Sequence, residues 1–248
     1  RGRIMHAPCR PTPHVNVLAF DTSTEMLSVA LQAGDAVLAH TGEGGAKASS
    51  TLVPLVRQLM AQAGLALDSL DAIAFGCGPG SFTGLRTACS VAQGLAFGAD
   101  VPVLPVETLM AVAEEARERT GATRVLALLD ARMDEVYAAR YELGPHGWQR
   151  LGDITLGPPQ SLVAEPGWLL AGNAWAAYGD RLPTTTDRVE VLPTARALLR
   201  LAPALLAAGQ ARAAELALPL YVRDKVAQTT AERSAARSAA GAQARIAP

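Results

Sequence analysis

The sequence has few of the residues that mark a disulfide scaffold, a metal centre or a nucleic-acid surface. Three cysteines and four histidines are spread over 248 residues, too few and too scattered for a disulfide framework or a thiolate metal site. Aromatic residues make up 4% of the chain, and the formal net charge is -1. Nucleic-acid backbones are bound mainly through excess basic charge. A chain this close to neutral is therefore not expected to bind RNA or DNA on its own.

Long apolar runs are also missing. No uninterrupted run approaches the ~20 residues that span a bilayer, and residues 1–14 lack the apolar core of a signal peptide. We therefore expect a soluble, cytoplasmic protein without membrane contact. We interpret residues 1–14 as a flexible leader and the alanine- and arginine-rich residues 229–248 as a flexible tail.

The remaining sequence alternates between apolar runs and helical periodicity. These patterns predict strands at 15–20, 27–31, 36–40, 72–76 and 101–106, and helices at 52–63, 83–97, 107–119 and 194–208. Three strands followed by alternating helices and strands are typical of an α/β layer fold with a mixed sheet.

The pattern restarts near the middle of the chain. Residues 127–139 repeat the arrangement of residues 18–30: an apolar strand ends on an aspartate, a polar turn follows, and a second strand leaves. This repeat predicts a duplicated α/β fold with two subdomains, at 15–120 and 121–228, and a cleft between them. The alternative is a chance likeness between two hairpins, and the pattern alone does not exclude it.

The glycine-rich segment at 76–86 connects a predicted strand to a predicted helix. Backbone N–H groups at such a helix start can face an anion. The segment has neither the Gly-Lys-Ser/Thr of a P-loop nor the glycine spacing of a dinucleotide fingerprint. It is also consistent with a tight turn in which Ser81 or Thr83 caps the helix and Gly84 permits close packing. Both interpretations stay open.

The two aspartate-ended turns are candidate phosphate turns. In a duplicated ATPase fold such turns hold phosphates from opposite sides of a cleft, and close approach to the backbone favours glycine. Neither turn contains glycine, so we expect the second to have lost phosphate binding and Asp130 to make local hydrogen bonds. No cofactor is expected beyond weak nucleotide binding. The candidate residues are Asp21, Thr22, Ser23, Gly78, Gly80, Ser81 and Asp130.

Several segments resemble the bacterial TsaB family, also called YeaZ. They are residues 18–24, 78–86, 129–132 with 136–137, and 219–223, within a match over roughly 15–225. The resemblance implies the duplicated fold of actin, sugar kinases and Hsp70 ATPases, and a role in threonylcarbamoyl modification of tRNA adenosine. It also implies a non-catalytic scaffold that binds the catalytic paralogue TsaD, works with the ATPase TsaE, and meets tRNA only through the complex.

The resemblance also accounts for missing catalytic residues. In the paralogue two histidines bind a metal at the start of the helix that follows the strand at 101–106. The matching positions here are Thr108 and Val112, which supply no imidazole, so we expect no metal and no catalytic residues. One departure is the segment 48–50, Ala-Ser-Ser, where many relatives carry His-Ser/Ala-Glu.

Three other functions were weighed. The first is a metallopeptidase-like enzyme of the M22 glycoprotease family, and the missing histidines argue against it. The second is a sugar-kinase-like ATPase, and the glycine-free turns argue against it. The third, a direct tRNA-binding module, is disfavoured by the near-neutral charge.

A partner surface is predicted on two helices. Gly84, Ala88, Ala92 and Ala96 recur every four residues, and such a small-residue stripe permits close helix packing. The resemblance implies a four-helix bundle with the paralogue, or a homodimer in its absence. The alternative is ordinary core. The predicted interface residues are Leu52, Leu55, Val56, Leu59, Gly84, Leu85, Ala88, Val91, Ala92 and Leu95.

Overall fold

The computed structural model describes residues 15–184 and 187–223, which contain two five-stranded mixed sheets. The first sheet has the order β3-β2-β1-β4-β5 and the second the order β10-β9-β6-β7-β8. The strands of the first sheet are β1 (Asn16–Asp21), β2 (Met26–Ala33), β3 (Ala36–Glu43), β4 (Ala72–Gly78) and β5 (Val103–Glu107). Those of the second are β6 (Arg124–Arg132), β7 (Glu135–Gly144), β8 (Gly147–Gly157), β9 (Leu169–Gly172) and β10 (Arg188–Glu190).

The two sheets have the same topology. In each, three consecutive antiparallel strands are extended by two parallel strands, so β1 corresponds to β6 and β4 to β9. The duplicated α/β fold predicted from the repeat is therefore confirmed.

Five α-helices cover the sheets within the described ranges. They are α1 (Ala48–Ala63), α2 (Phe82–Ala99), α3 (Thr108–Thr120), α4 (Ala174–Tyr178) and α5 (Ala195–Ala207). Helices α1 and α2 share a core with one face of the first sheet, and α5 packs on its other face. Helix α3 packs against the second sheet and against α5, while α4 covers the remaining face of the second sheet. Short 3-10 turns lie at Gly45–Lys47, Leu67–Ser69, Pro159–Ser161, Gly179–Arg181 and Ala214–Leu216.

The central strand β1 shows why the chain folds in layers. Side chains alternate between the two faces of a strand. Leu18 and Phe20 therefore enter the core beneath α1 and α2, while Val17 and Ala19 enter the core beneath α5. A strand covered on both faces needs a continuous apolar run, as residues 17–20 provide.

The predicted elements match the described ones with small shifts at their ends. The predicted end of α1 at residue 63 is confirmed, and Gly64 follows it with a left-handed φ of 66°. The sequence did not predict α4 and β10, with five and three residues. The predicted subdomain boundary at 120/121 separates the two sheets, but α5 returns to pack on the first. The predicted leader and the tail at 229–248 lie outside the described residues, and no described helix has the length and hydropathy needed to cross a bilayer.

Candidate functional site

Both aspartate-ended turns and the glycine-rich segment meet at one cleft. The cleft has a volume of about 390 Å3 and is lined by both halves of the duplicated fold. Its walls come from residues 23–25, 79–82, 129–133 and 220–223, together with Gly45, Leu85, Tyr137 and Asn173. The repeat and the resemblance had each pointed to some of these segments, and the structure brings them together.

The first turn is closed by hydrogen bonds within itself. The Ser23 backbone N–H and hydroxyl both donate to Oδ1 of Asp21, at 2.9 Å and 2.6 Å. Asp21 is 1% exposed, and its Oδ2 has no hydrogen-bond partner. Burial raises the pKa of the Asp21 carboxyl to about 6, although the hydrogen bonds from Ser23 act in the opposite direction.

The glycine-rich segment packs directly onto this turn. Its Ser81 N–H donates to the Ser23 carbonyl at 2.7 Å, and the Thr22 hydroxyl donates to the Gly84 carbonyl at 2.7 Å. A Cβ atom added to Gly84 would lie 1.8 Å from the Thr22 carbonyl oxygen, and one on Gly80 would lie 2.6 Å from that of Ser23. The glycine-rich segment therefore packs on one side of the first turn, while Ser23 and Thr24 of that turn still line the cleft.

The start of α2 is capped by a side chain, as in the tight-turn interpretation of the glycine-rich segment. The Ser81 hydroxyl accepts a hydrogen bond from the Gly84 N–H at 3.4 Å. Glycine at position 84 allows the helix to approach Thr22. The structure supports the capping and packing roles of Ser81 and Gly84, while an anion site at this helix start stays a prediction.

The second turn is held by different contacts. Oδ1 of Asp130 accepts hydrogen bonds from the Arg132 N–H and from the Tyr178 hydroxyl, each at 2.7 Å. The Asp130 N–H donates to Oδ1 of Asn173 at 2.9 Å. The bond from the Arg132 N–H is a local turn contact of the kind expected for Asp130, while the bonds with Tyr178 and Asn173 reach distant residues. The residues at 132–134 all have left-handed φ values, between 56° and 61°, although none is glycine.

The two positions that match the paralogue's metal histidines serve internal packing. The Thr108 side chain is fully buried, and its hydroxyl accepts a hydrogen bond from the Gly78 N–H at 3.1 Å. Val112 is fully buried in the core between α3 and the second sheet. These residues do not fit a histidine-bound metal. Within 15–184 and 187–223, no three His, Cys, Asp or Glu side chains lie close enough together to hold a metal ion.

The predicted partner residues divide into two groups. The stripe of Gly84, Ala88, Ala92 and Ala96 faces the chain's own core, because α2 turns this side toward β4. Seven predicted interface residues are buried within the chain: Leu52, Val56, Leu59, Gly84, Leu85, Ala88 and Ala92. The other three, Leu55, Val91 and Leu95, are half-buried and remain candidates for a partner contact.

Several residues at the cleft were not predicted from local patterns. Tyr178 and Asn173 lie 48 and 43 residues from Asp130 in the chain. The segment 220–223 was noted only for its resemblance to the TsaB family. Its Tyr221 is one of four tyrosines in the sequence, and no local pattern marked it as a residue of the cleft.

Comparisons with known proteins agree on one family. Residues 43–167 match the family model of TsaD, tRNA N6-adenosine threonylcarbamoyltransferase. The TsaB protein of Escherichia coli K12 is 38% identical over 225 residues, covering 86% of this chain and 96% of that protein. For TsaB of Haemophilus influenzae the identity is 35%, with 86% and 95% covered. A solved structure of YeaZ from Pseudomonas aeruginosa has a TM-score of 0.78 and 43% identity, covering 84% of this chain and all of that one. The chain belongs to the TsaB (YeaZ) family of tRNA threonylcarbamoyladenosine biosynthesis proteins.

Proposed function

We propose that the chain is a non-catalytic subunit of the machinery that forms threonylcarbamoyladenosine in tRNA. In this proposal it binds a catalytic paralogue of the TsaD type and activates it, and a TsaE-like ATPase acts on the same complex. The chain contacts tRNA only through that complex, which agrees with its net charge of -1.

The residues at the start of α3 support the non-catalytic part of the proposal. Thr108 and Val112 are fully buried, and each makes contacts inside the chain. A buried hydroxyl and an isopropyl group cannot ligate a metal as two imidazoles would. The same substitution argues against the metallopeptidase alternative.

The packing of the first turn supports weak nucleotide binding at most. Gly80 and Gly84 bring backbone against Ser23 and Thr22, which leaves less room for a phosphate beside the first turn. We expect calorimetric titration of the purified chain with ATP to show no tight binding. A stoichiometric site of micromolar affinity would favour the sugar-kinase-like alternative instead.

The observation that carries the proposal is the outer face of α2. Ser90, Gly94 and Gly98 recur every four residues and are exposed, and a Cβ on either glycine would meet nothing within 4 Å. Phe97 beside them is 79% exposed. A glycine inside a helix costs about 1 kcal/mol relative to alanine. No contact within residues 15–184 and 187–223 requires these glycines, and close approach of a partner helix would.

We define the partner surface as Leu55, Ser90, Val91, Gly94, Leu95 and Phe97. This surface excludes the stripe of Gly84, Ala88 and Ala92, which is buried, and uses the small residues on the opposite side of α2 instead. It keeps the half-buried apolar residues that the sequence predicted, Leu55, Val91 and Leu95. The occupant that we propose is the equivalent helix pair of a TsaD-type paralogue. Two copies of this chain pair through the same surface when the paralogue is absent.

The test is co-purification with the TsaD-type paralogue, with complex formation and tRNA modification assayed together. Gly94→Leu places a branched side chain in the proposed helix contact, while the isolated chain has room for it. Overpacking costs about 1–3 kcal/mol, so we expect the dissociation constant to rise roughly tenfold or more. Modification activity at limiting subunit concentration should fall with it.

Ala207→Leu is the matched control, since it adds similar bulk at an exposed position of α5. It should leave binding unchanged, and both variants should unfold at or above the wild-type temperature. Full partner binding by Gly94→Leu would place the interface elsewhere. Threonylcarbamoyl transfer by the chain alone would overturn the non-catalytic role.

A further inference from the structure

Residues 212–223 follow α5 and connect the two halves of the molecule; this segment is called the strap. It begins on the first half, where Arg212 and Val103 of β5 exchange two backbone hydrogen bonds of 2.8 Å and 2.9 Å. Ala214 and Ala217 are buried in the core that α1 and α2 share with the first sheet. The Cys89 thiol donates to the Ala217 carbonyl at 3.0 Å.

The middle of the strap crosses the glycine-rich segment. The Leu220 N–H donates to the Cys77 carbonyl at 2.7 Å. A Cβ on Gly78 would lie 2.5 Å from the Leu220 carbonyl oxygen, and the φ of Gly78 is +128°. Only glycine at position 78 therefore lets the strap lie this close. The Tyr221 ring then packs on Phe82, with centroids 5.3 Å apart.

The end of the strap contacts the second half. Val222 packs against the core of the second sheet. Nη2 of Arg223 donates to the Glu135 carboxylate at 2.6 Å and to the Arg132 carbonyl at 3.3 Å, and the Arg223 side chain is only 16% exposed. A charge-assisted hydrogen bond of this kind is roughly twice as strong as one between neutral groups.

The turn that Arg223 holds is strained. Residues 132–134 are three successive non-glycine residues in the left-handed region, which costs of order 1 kcal/mol for each residue. Such a conformation persists only where its surroundings impose it. The Arg223 contacts with Arg132 and Glu135 are part of what imposes it.

We propose that the strap is a latch between two states of the cleft. When it is closed, it joins the halves across the cleft and keeps the turn at 132–134 in its strained form. When Arg223 leaves Glu135, the turn relaxes, and the cleft wall formed by residues 220–223 moves away. The latch is a bistable element whose equilibrium a ligand or partner can shift, and it does not depend on the proposed function.

Two cysteines lie against the strap and report its release. Cys77 and Cys89 are each 7% exposed, and burial raises the pKa of the Cys77 thiol to about 12, so neither should react in the closed state. The experiment measures the rate of thiol labelling in the full chain carrying Cys9→Ser. Loss of a hydrogen bond to a charged group should favour local opening about tenfold or more. We therefore expect Arg223→Ala to raise the labelling rate by that factor while lowering the unfolding temperature by only roughly 5 °C.

Arg181→Ala is the matched control. Arg181 binds Asp134 at 2.8 Å, on the same turn, but does not belong to the strap. The thiols of the Arg181→Ala variant should be labelled at the wild-type rate. Glu135→Ala removes the partner of Arg223, so its labelling rate should equal that of Arg223→Ala. Hydrogen exchange at 132–135 should rise in the two latch variants. The latch is refuted if Arg223→Ala and Glu135→Ala label at the wild-type rate, if Arg181→Ala labels equally fast, or if labelling merely follows global unfolding.

Discussion

The turns after β1 and β6 hold equivalent places in two sheets of the same topology, yet they are built in opposite ways. The first is closed: Asp21 is 1% exposed, and the glycine-rich segment packs against the turn. The second is open: Met133 is 55% exposed, and the turn residues lie in the left-handed region without glycine. Shared topology thus sets where a turn lies, while the segment packed against it decides how much room a ligand would have.

The largest expected effect on stability comes from adding a side chain at Gly84, where α2 packs against the first turn. In Gly84→Ala the new Cβ would meet the Thr22 carbonyl oxygen at 1.8 Å, so helix and turn must separate. We expect the free energy of unfolding to fall by about 3 kcal/mol, measured by urea denaturation. Gly94→Ala in the same helix meets nothing and should raise it by about 1 kcal/mol. Equal stability of the Gly84→Ala variant and the wild type would show that the close contact is not needed.

A smaller effect should follow from removing the buried charge in the first turn. Folding raises the pKa of Asp21 from 3.8 to about 6 through burial. The protonated Asp21 carboxyl therefore contributes its full stabilisation of the folded state below pH 3.8. This contribution is lost as the pH rises through about 6. Near pH 7.5 the charged form costs roughly 3 kcal/mol at most, at 1.36 kcal/mol per pKa unit.

Asp21→Asn keeps an oxygen acceptor for Ser23 and removes the charge. It should raise the free energy of unfolding by about 2 kcal/mol at pH 7.5, and this gain should shrink by about 1 kcal/mol at pH 5. Asp130→Asn in the second turn is the control. It breaks an ion pair with Arg132, whose side chain is 76% exposed, and should cost less than about 1 kcal/mol. A gain for Asp21→Asn that does not change with pH would contradict the buried-charge explanation.

The smallest expected effect concerns the strain in the second turn. Met133→Gly allows a φ of 56° without steric cost and should raise the free energy of unfolding by about 1 kcal/mol. Glu25→Gly, at an exposed position of the first turn with no left-handed φ, should lower it slightly because glycine loses more chain entropy. Thermal unfolding of the pair measures the difference, and equal shifts would indicate that the left-handed residues carry no strain.

Local sequence patterns were sufficient to predict most of the fold. The strands at 17–20 and 125–129 are buried on both faces. A strand covered on both faces has a continuous apolar sequence, which can be recognised without knowing the rest of the fold. Gly64 and Gly121 end α1 and α3 in the left-handed conformation that glycine favours. Helix α4 and strand β10 were missed because five and three residues are too short to show a period.

The sides of α2 could not be assigned from the sequence. Small residues recur every four positions on two opposite faces, at 84, 88, 92 and 96 and again at 90, 94 and 98. Periodicity is the same for a face that packs on the protein's own sheet and for one left open to a partner. The contact between Gly84 and Thr22, together with the burial of Ala88, Ala92 and Ala96, shows which face is internal in the folded chain.

The sequence by itself therefore determined most strands and helices of the two sheets, because these depend on periodicity, and the family, because short motifs carry the resemblance. The tertiary structure alone decided that the glycine-rich segment packs on the first turn, that Asp21 is buried with a raised pKa, and that Arg223 binds Glu135, 88 residues away in the chain. Such properties arise between segments distant in sequence. Burial and backbone approach exist only once these distant segments have packed together, so no local pattern of residues shows them.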